Sequence, residues 1–134
     1  MEYQPLSPRG GLKPLKRLKR TNQVPNLWNF FYTFALMRIY SHKTLKEFWD
    51  QYPDSRTSLE MWYEKMEENT YETPNQVIKD FKDADIIGNG RIIFNIALNK
   101  YRLVAFFRYK FHAVYVRFIG THKEYDKIKD ITNL

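Results

Sequence analysis

Residues 91–126 read RIIFNIALNK YRLVAFFRYK FHAVYVRFIG THKEYD, and this stretch decides the fold. It follows a turn signal, Gly88-Asn89-Gly90, and breaks into short runs rich in Ile, Phe, Val and Tyr. Such runs, bounded by turns, predict β-strands. The predicted strands are 91–96, 102–108 and 113–119. The first two are joined through Ala97 to Tyr101, the last two by a tight turn at Lys110-Phe111. A short terminal helix is predicted over about 122–131, with Thr121 as its N-cap.

Upstream the period changes to that of helices. A short strand is predicted at 37–40, then a helix over about 42–52, with Ser41 as N-cap and Leu45, Phe48 and Trp49 as its apolar stripe. Pro53-Asp54-Ser55 ends it. A second helix is predicted over about 56–69, with Leu59, Trp62, Tyr63 and Met66 on one face and Glu60, Glu64, Glu67 and Glu68 on others. Thr73-Pro74 opens a third, short helix whose Val77, Ile78 and Phe81 face inward. Helices followed by a run of strands predict an α+β layer fold, an antiparallel sheet packed on helices.

Composition narrows the function classes. The 134 residues contain no cysteine, so one small domain from a reducing compartment is expected, held by its core. Aromatic residues, at 17 %, are enough to build that core. The net charge of +7 is unevenly placed. Residues 1–36 carry +5, 37–85 carry −4 and 86–134 carry +6. A localised basic half suits a polyanion such as RNA. No apolar run reaches the ~20 residues of a membrane span. The ten-residue run LWNFFYTFAL at 27–36 lacks a small-x-small cleavage site after it, so neither a membrane nor secretion is expected, and the cytoplasm is the expected location. Asp83 and Asp85 read as solvated acids rather than a metal pair. No metal or cofactor is expected.

The first 36 residues hold Pro5, Pro8, Pro14 and Pro25, Gly10-Gly11 and the basic run 16–20, with no apolar period. They read as a basic and aromatic extension, either a disordered arm or the product of an over-long start, ahead of a domain at 37–134.

Strand alternation puts Arg102, Val104, Phe106 and Arg108 on one face. In the next strand Ala113, Tyr115, Arg117 and Ile119 share a face. With a two-residue turn at Lys110-Phe111, Tyr109 opposes His112, Val104 opposes Arg117, and Arg102 and Arg117 share a face. Two guanidinium forks on one face suit a phosphate. Histidine is the side chain suited to moving protons at neutral pH, so His122 is either a proton carrier or a solvated helix-start residue. Tyr125 lies one helical turn on and is an acid, a stacking platform or a packing residue. Asp126, at i+4, either orients the imidazole or pairs with a nearby lysine. Lys123 and Lys100 suit phosphate as point charges.

From Met37 onward the chain resembles the HigB toxins, messenger-RNA interferases of the RelE superfamily. The resemblance rests on Met37-Arg38-Ile39-Tyr40-Ser41-His42-Lys43-Thr44-Leu45-Lys46-Glu47-Phe48-Trp49, on Trp62-Tyr63, on Phe94-Asn95-Ile96 with Asn99-Lys100-Tyr101-Arg102-Leu103, and above all on 116–126, VRFIGTHKEYD. It implies a RelE-like fold and metal-independent cleavage of messenger RNA by 2′-hydroxyl attack, on or off the ribosome. It implies a cognate HigA-like helix-turn-helix antitoxin, with DNA reached only through that partner. The catalytic positions it implies are His122, Arg117, Arg102, Tyr125, Lys123 and Asp126, with Lys100, Asn99, Asn95 and Arg108 as RNA contacts. Leu98 stands where the family pattern has glycine. The alternative on the same scaffold is a non-catalytic, protein-binding toxin such as the ParE gyrase inhibitors.

Overall fold

A computed structural model describes residues 36–134; the expectations for the first 35 lie outside the described residues. Strand β1 (Arg38–Tyr40) is followed by helices α1 (His42–Gln51), α2 (Arg56–Glu68) and α3 (Pro74–Asp80). Four strands come next, β2 (Asp85–Gly88), β3 (Arg91–Ile96), β4 (Tyr101–Arg108) and β5 (Ala113–Thr121), then the short helix α4 (His122–Asp126).

Each helix forms where its apolar spacing predicts and buries that stripe. Leu45, Phe48 and Trp49 of α1 and Leu59, Trp62 and Met66 of α2 are buried. Thr73 caps α3 by accepting a hydrogen bond from the Gln76 amide, and Pro74 stands at the first turn, where a missing N–H costs nothing. These side chains meet Ile92, Phe94, Ile96, Leu103, Ala105, Phe107 and Val114 in one core. Trp62 and Phe81 stand edge-on to Phe94 at ring distances of 5.5 and 5.1 Å. Leu45, Leu59 and Leu103 are wholly enclosed, and each stabilises the fold by about 1.5–3 kcal/mol.

The sheet order is β1-β5-β4-β3-β2. Strands β3, β4 and β5 pair antiparallel, as predicted, and β2 pairs antiparallel with β3, while β1 adds in parallel beside β5. Strand β2 was not predicted. It is a four-residue edge strand, recognisable only from its pairing with β3. The terminal helix is one turn long rather than reaching 131. After Asp126 the chain runs to a short 3₁₀ turn at Ile131–Asn133.

The helices cover one face of the sheet; the other carries the arginines. The β4–β5 connection spans residues 109–112, with His112 in the left-handed region at φ 50°. Near this turn the expected register holds, with Ala105 opposite Val116 and Phe106 opposite Tyr115. Beyond it the register shifts, Val104 facing Phe118, so Arg117 is the extra residue of a β-bulge. The bulge corrects the expected facing of Ile119, which packs against the core on the helical side.

Part of the open face is closed by the C-terminal tail. Asn89 donates to the Thr132 carbonyl, and Arg91 to the Leu134 carbonyl at 2.6 Å. Ile93 and Val104, which belong to this face, are accordingly buried. The β5–β1 side stays open.

Candidate functional site

Both Arg102 and Arg117 lie on the sheet face away from the helices. Alternation along β4 puts Arg102 there, and alternation from Tyr115 puts Arg117 there, over Phe106 and Tyr115 at 5.4 and 5.3 Å. The bulge instead reverses the residues beyond Arg117, bringing Phe118 opposite Val104 onto this face.

The end of this face is closed by α4, whose placement follows from a capping box. The Thr121 hydroxyl accepts from the Glu124 amide, and the Glu124 carboxylate accepts from the Thr121 amide. Gly120 makes this possible. A Cβ there would lie 2.5 Å from Glu124 Oε1 and 2.7 Å from the Phe118 ring, so any other residue makes the capping glutamate and that ring shift. The helix thus begins at His122, with Tyr125 one turn later. The Arg102 guanidinium lies 4.8 Å from the Tyr125 ring centre, and Phe118 flanks that ring at 6.2 Å.

Three polar atoms in this corner are buried without a hydrogen-bond partner: Asn95 Oδ1, Arg102 Nε and His122 Nε2. Asn95 pairs across the strands with Arg102, and Arg102 with Gly120, two residues before His122. Buried orphans are uncommon in folded proteins, and such a group of donors and acceptors suits a polar ligand.

The remaining predicted residues are more dispersed. Lys123 and Asp126 are exposed, and among the described residues no hydrogen bond joins Asp126 to His122. Asn95 Nδ2 donates to the Asp83 carbonyl. Asn99 is exposed at the β3–β4 tip with φ 79°, beside Ala97 and Leu98, both at φ 54°. Leu98, at the position where glycine was expected, is 99 % exposed. Lys100 is held away from the arginines: its Nζ lies 2.6 Å from Asp54, which also accepts from the Tyr101 hydroxyl at 2.7 Å. The Lys100 and Tyr101 hydrogen bonds lower the Asp54 pKa, and the bond to Asp54 raises that of Tyr101 to about 12. Arg108 shares the open face, over Phe106 at 5.9 Å and Phe111 at 4.9 Å.

Sequence reasoning missed the aromatic half of this surface. Tyr40 stacks on Tyr115 at 4.9 Å, and Tyr115 lies 6.2 Å from Phe106. Alternation already placed Phe106 and Tyr115 with the arginines, yet the aromatics were assigned to the core by composition. Arg91 was missed as well. It is buried, lies 4.0 Å from the Phe106 ring and bonds to the Asn89 and Leu134 carbonyls. Burial, then the nearby Arg117 charge, lowers its pKa. Its contacts are those of a structural residue.

Among the described residues no three His, Cys, Asp or Glu side chains are grouped as metal ligands, and no helix is long and apolar enough to cross a membrane. A cleft of about 410 Å³ opens on the helical side between α2 and β3. It is lined by Met61, Trp62, Phe81, Phe94 and, at its edge, Asn95 among others, and by none of Arg102, Arg117, His122 or Tyr125.

A helical layer on one side of a small sheet, with an arginine-bearing open face and a one-turn helix at its end, is the architecture of a RelE-like fold. Residues 55–128 match the HigB_toxin family, described as the RelE-like toxic component of a toxin-antitoxin system, and the chain belongs to that family. Over 92 residues, 67 % of this chain and 88 % of the relative, it is 27 % identical to the mRNA interferase toxin HigB of Escherichia coli K12. The proteins named mRNA interferase HigB from Escherichia coli O157:H7 and Shigella flexneri match to the same extent.

Proposed function

We propose that this chain cleaves messenger RNA without a metal and so arrests translation, and that a HigA-like antitoxin restrains it. The observation that carries the reading is the corner where Arg102, Tyr125 and the start of α4 meet, with unpartnered polar atoms on Asn95, Arg102 and His122. The names of the relatives support RNA as substrate over a gyrase-type protein target.

In the proposed reaction His122 takes the proton of a ribose 2′-hydroxyl. The 2′-oxygen attacks the adjacent phosphorus, and Arg102 stabilises the added negative charge of the pentavalent state, while Arg117, over Phe106 and Tyr115, holds the next phosphate along the face. The bond from phosphorus to the 5′-oxygen breaks as Lys123 or Tyr125 protonates the leaving oxygen. The products are a 2′,3′-cyclic phosphate and a 5′-hydroxyl, with water consumed only if the cycle later opens. Asn95, Asn99, Lys100 and Arg108 contact flanking RNA, Lys100 after leaving Asp54. A solvent-exposed pair of that kind contributes little stability and so is readily exchanged for phosphate.

The test is a time course of the full chain on end-labelled messenger RNA in EDTA, with and without ribosomes. Wild-type cleavage is expected to survive EDTA, and His122→Ala to slow it ~10²–10⁴-fold. Cleavage only with ribosomes assigns the ribosome as a partner. Undiminished cleavage by His122→Ala removes that histidine from the reaction.

A further inference from the structure

The open sheet face continues well past the corner assigned to cleavage, and its far end has the make-up of a second binding position. Tyr40 is 45 % exposed although its ring stacks on Tyr115, so one part of the ring is packed and another is open. Tyr115 in turn lies beside Phe106, and Arg117 is placed over both. Phe111, 54 % exposed, carries Arg108 over its ring at the same end. Exposed aromatic rings alternating with guanidinium groups are what an unpaired nucleic-acid strand needs. The rings take base faces, and the arginines take phosphate or stack as planar cations.

Distance says which part of the strand is involved. Arg102 pairs with Gly120 at the α4 end, and Phe106 pairs with Tyr115 at the other. Four residues along a strand span ~13 Å, so a base at Tyr40 lies outside the step being cut. A duplex cannot use the position, because its base faces are stacked on one another and closed to an aromatic ring.

Building on the nuclease reading, we propose that Tyr40, stacked on Tyr115 and flanked by Arg117, is a base-stacking subsite for an unpaired nucleotide remote from the scissile phosphate. It makes single-stranded RNA the form of substrate this face accepts. Tyr40 is a binding residue and has no part in proton transfer.

The experiment measures binding of a fluorescent, unstructured 2′-O-methyl RNA to the full chain by anisotropy, beside the same sequence as a duplex. The methyl group blocks 2′-attack, so binding is read whether or not the protein is a nuclease. Tyr40→Ala and Tyr40→Leu are expected to weaken single-strand binding ~5–100-fold, the range of one lost base stack, with Tyr40→Phe near wild type and the duplex weaker than the single strand. Recovery of affinity in Tyr40→Leu assigns Tyr40 to packing and overturns the proposal, as does unchanged affinity in Tyr40→Ala or equal binding of the duplex. Tyr40-dependent binding without wild-type cleavage would overturn the nuclease reading and keep the subsite.

Discussion

Among single residues, Tyr109 gives the clearest coupling of burial to pH. Its ring stacks on Phe107 at 5.3 Å, and its hydroxyl is buried with no partner. Burial raises its pKa to about 12, against ~10 for a free tyrosine. Between those values the unfolded chain releases a proton that the folded chain keeps, so stability is full below pH ~10 and falls as pH rises toward 12. Tyr101, also raised to about 12 through Asp54, loses stability across the same window. Tyr109→Phe removes both the titration and an unsatisfied hydroxyl. It is expected to leave the protein as stable or up to ~1 kcal/mol more stable at neutral pH and to flatten the alkaline loss. Denaturant melts at pH 8 and pH 11 check this; a steeper alkaline loss in the variant contradicts it.

Among elements, α4 links fold to site most directly, because a five-residue helix depends on its cap. Thr121→Ala removes the hydroxyl that accepts from the Glu124 amide, an expected cost of ~0.5–2 kcal/mol. Gly120→Ala adds a methyl where Glu124 and Phe118 already stand and forces both to move. Each variant is expected to lose more cleavage than its loss of stability explains, since His122 and Tyr125 move with the cap. Thermal melts beside cleavage rates separate the two effects. A Gly120→Ala protein with wild-type rate would show that α4 placement is irrelevant to the chemistry. The β-bulge belongs to the same scale. Parity of the turn was readable, and with it the common face of Arg102 and Arg117, but the extra residue was not. A bulge is decided by how Phe118 and Ile119 divide between the two faces, which no local pattern in β5 reveals.

For the whole molecule, charge division becomes geometry. The basic C-terminal segment forms most of the sheet, and the open face carries Arg102, Arg108 and Arg117. If those three each neutralise a phosphate, the log–log slope of RNA affinity against salt is expected to be about −2, and Arg108→Ala to reduce it by ~0.7. Filter binding across a salt series checks both, and a slope near zero contradicts an arginine–phosphate interface.

The helices, four of the five strands and the candidate residues His122, Arg102 and Arg117 were legible in the chain because each depends on local periodicity or side-chain chemistry. So was the α+β class, which follows from the order of those elements. Strand β2, the parallel seat of β1, the bulge at Arg117 and the capture of Lys100 by Asp54 were decided by tertiary structure alone. So was the division of aromatics between core and open face. A phenylalanine's chemistry is the same in either setting, and only the packing of helices on one side of the sheet determines which rings remain free to meet a ligand.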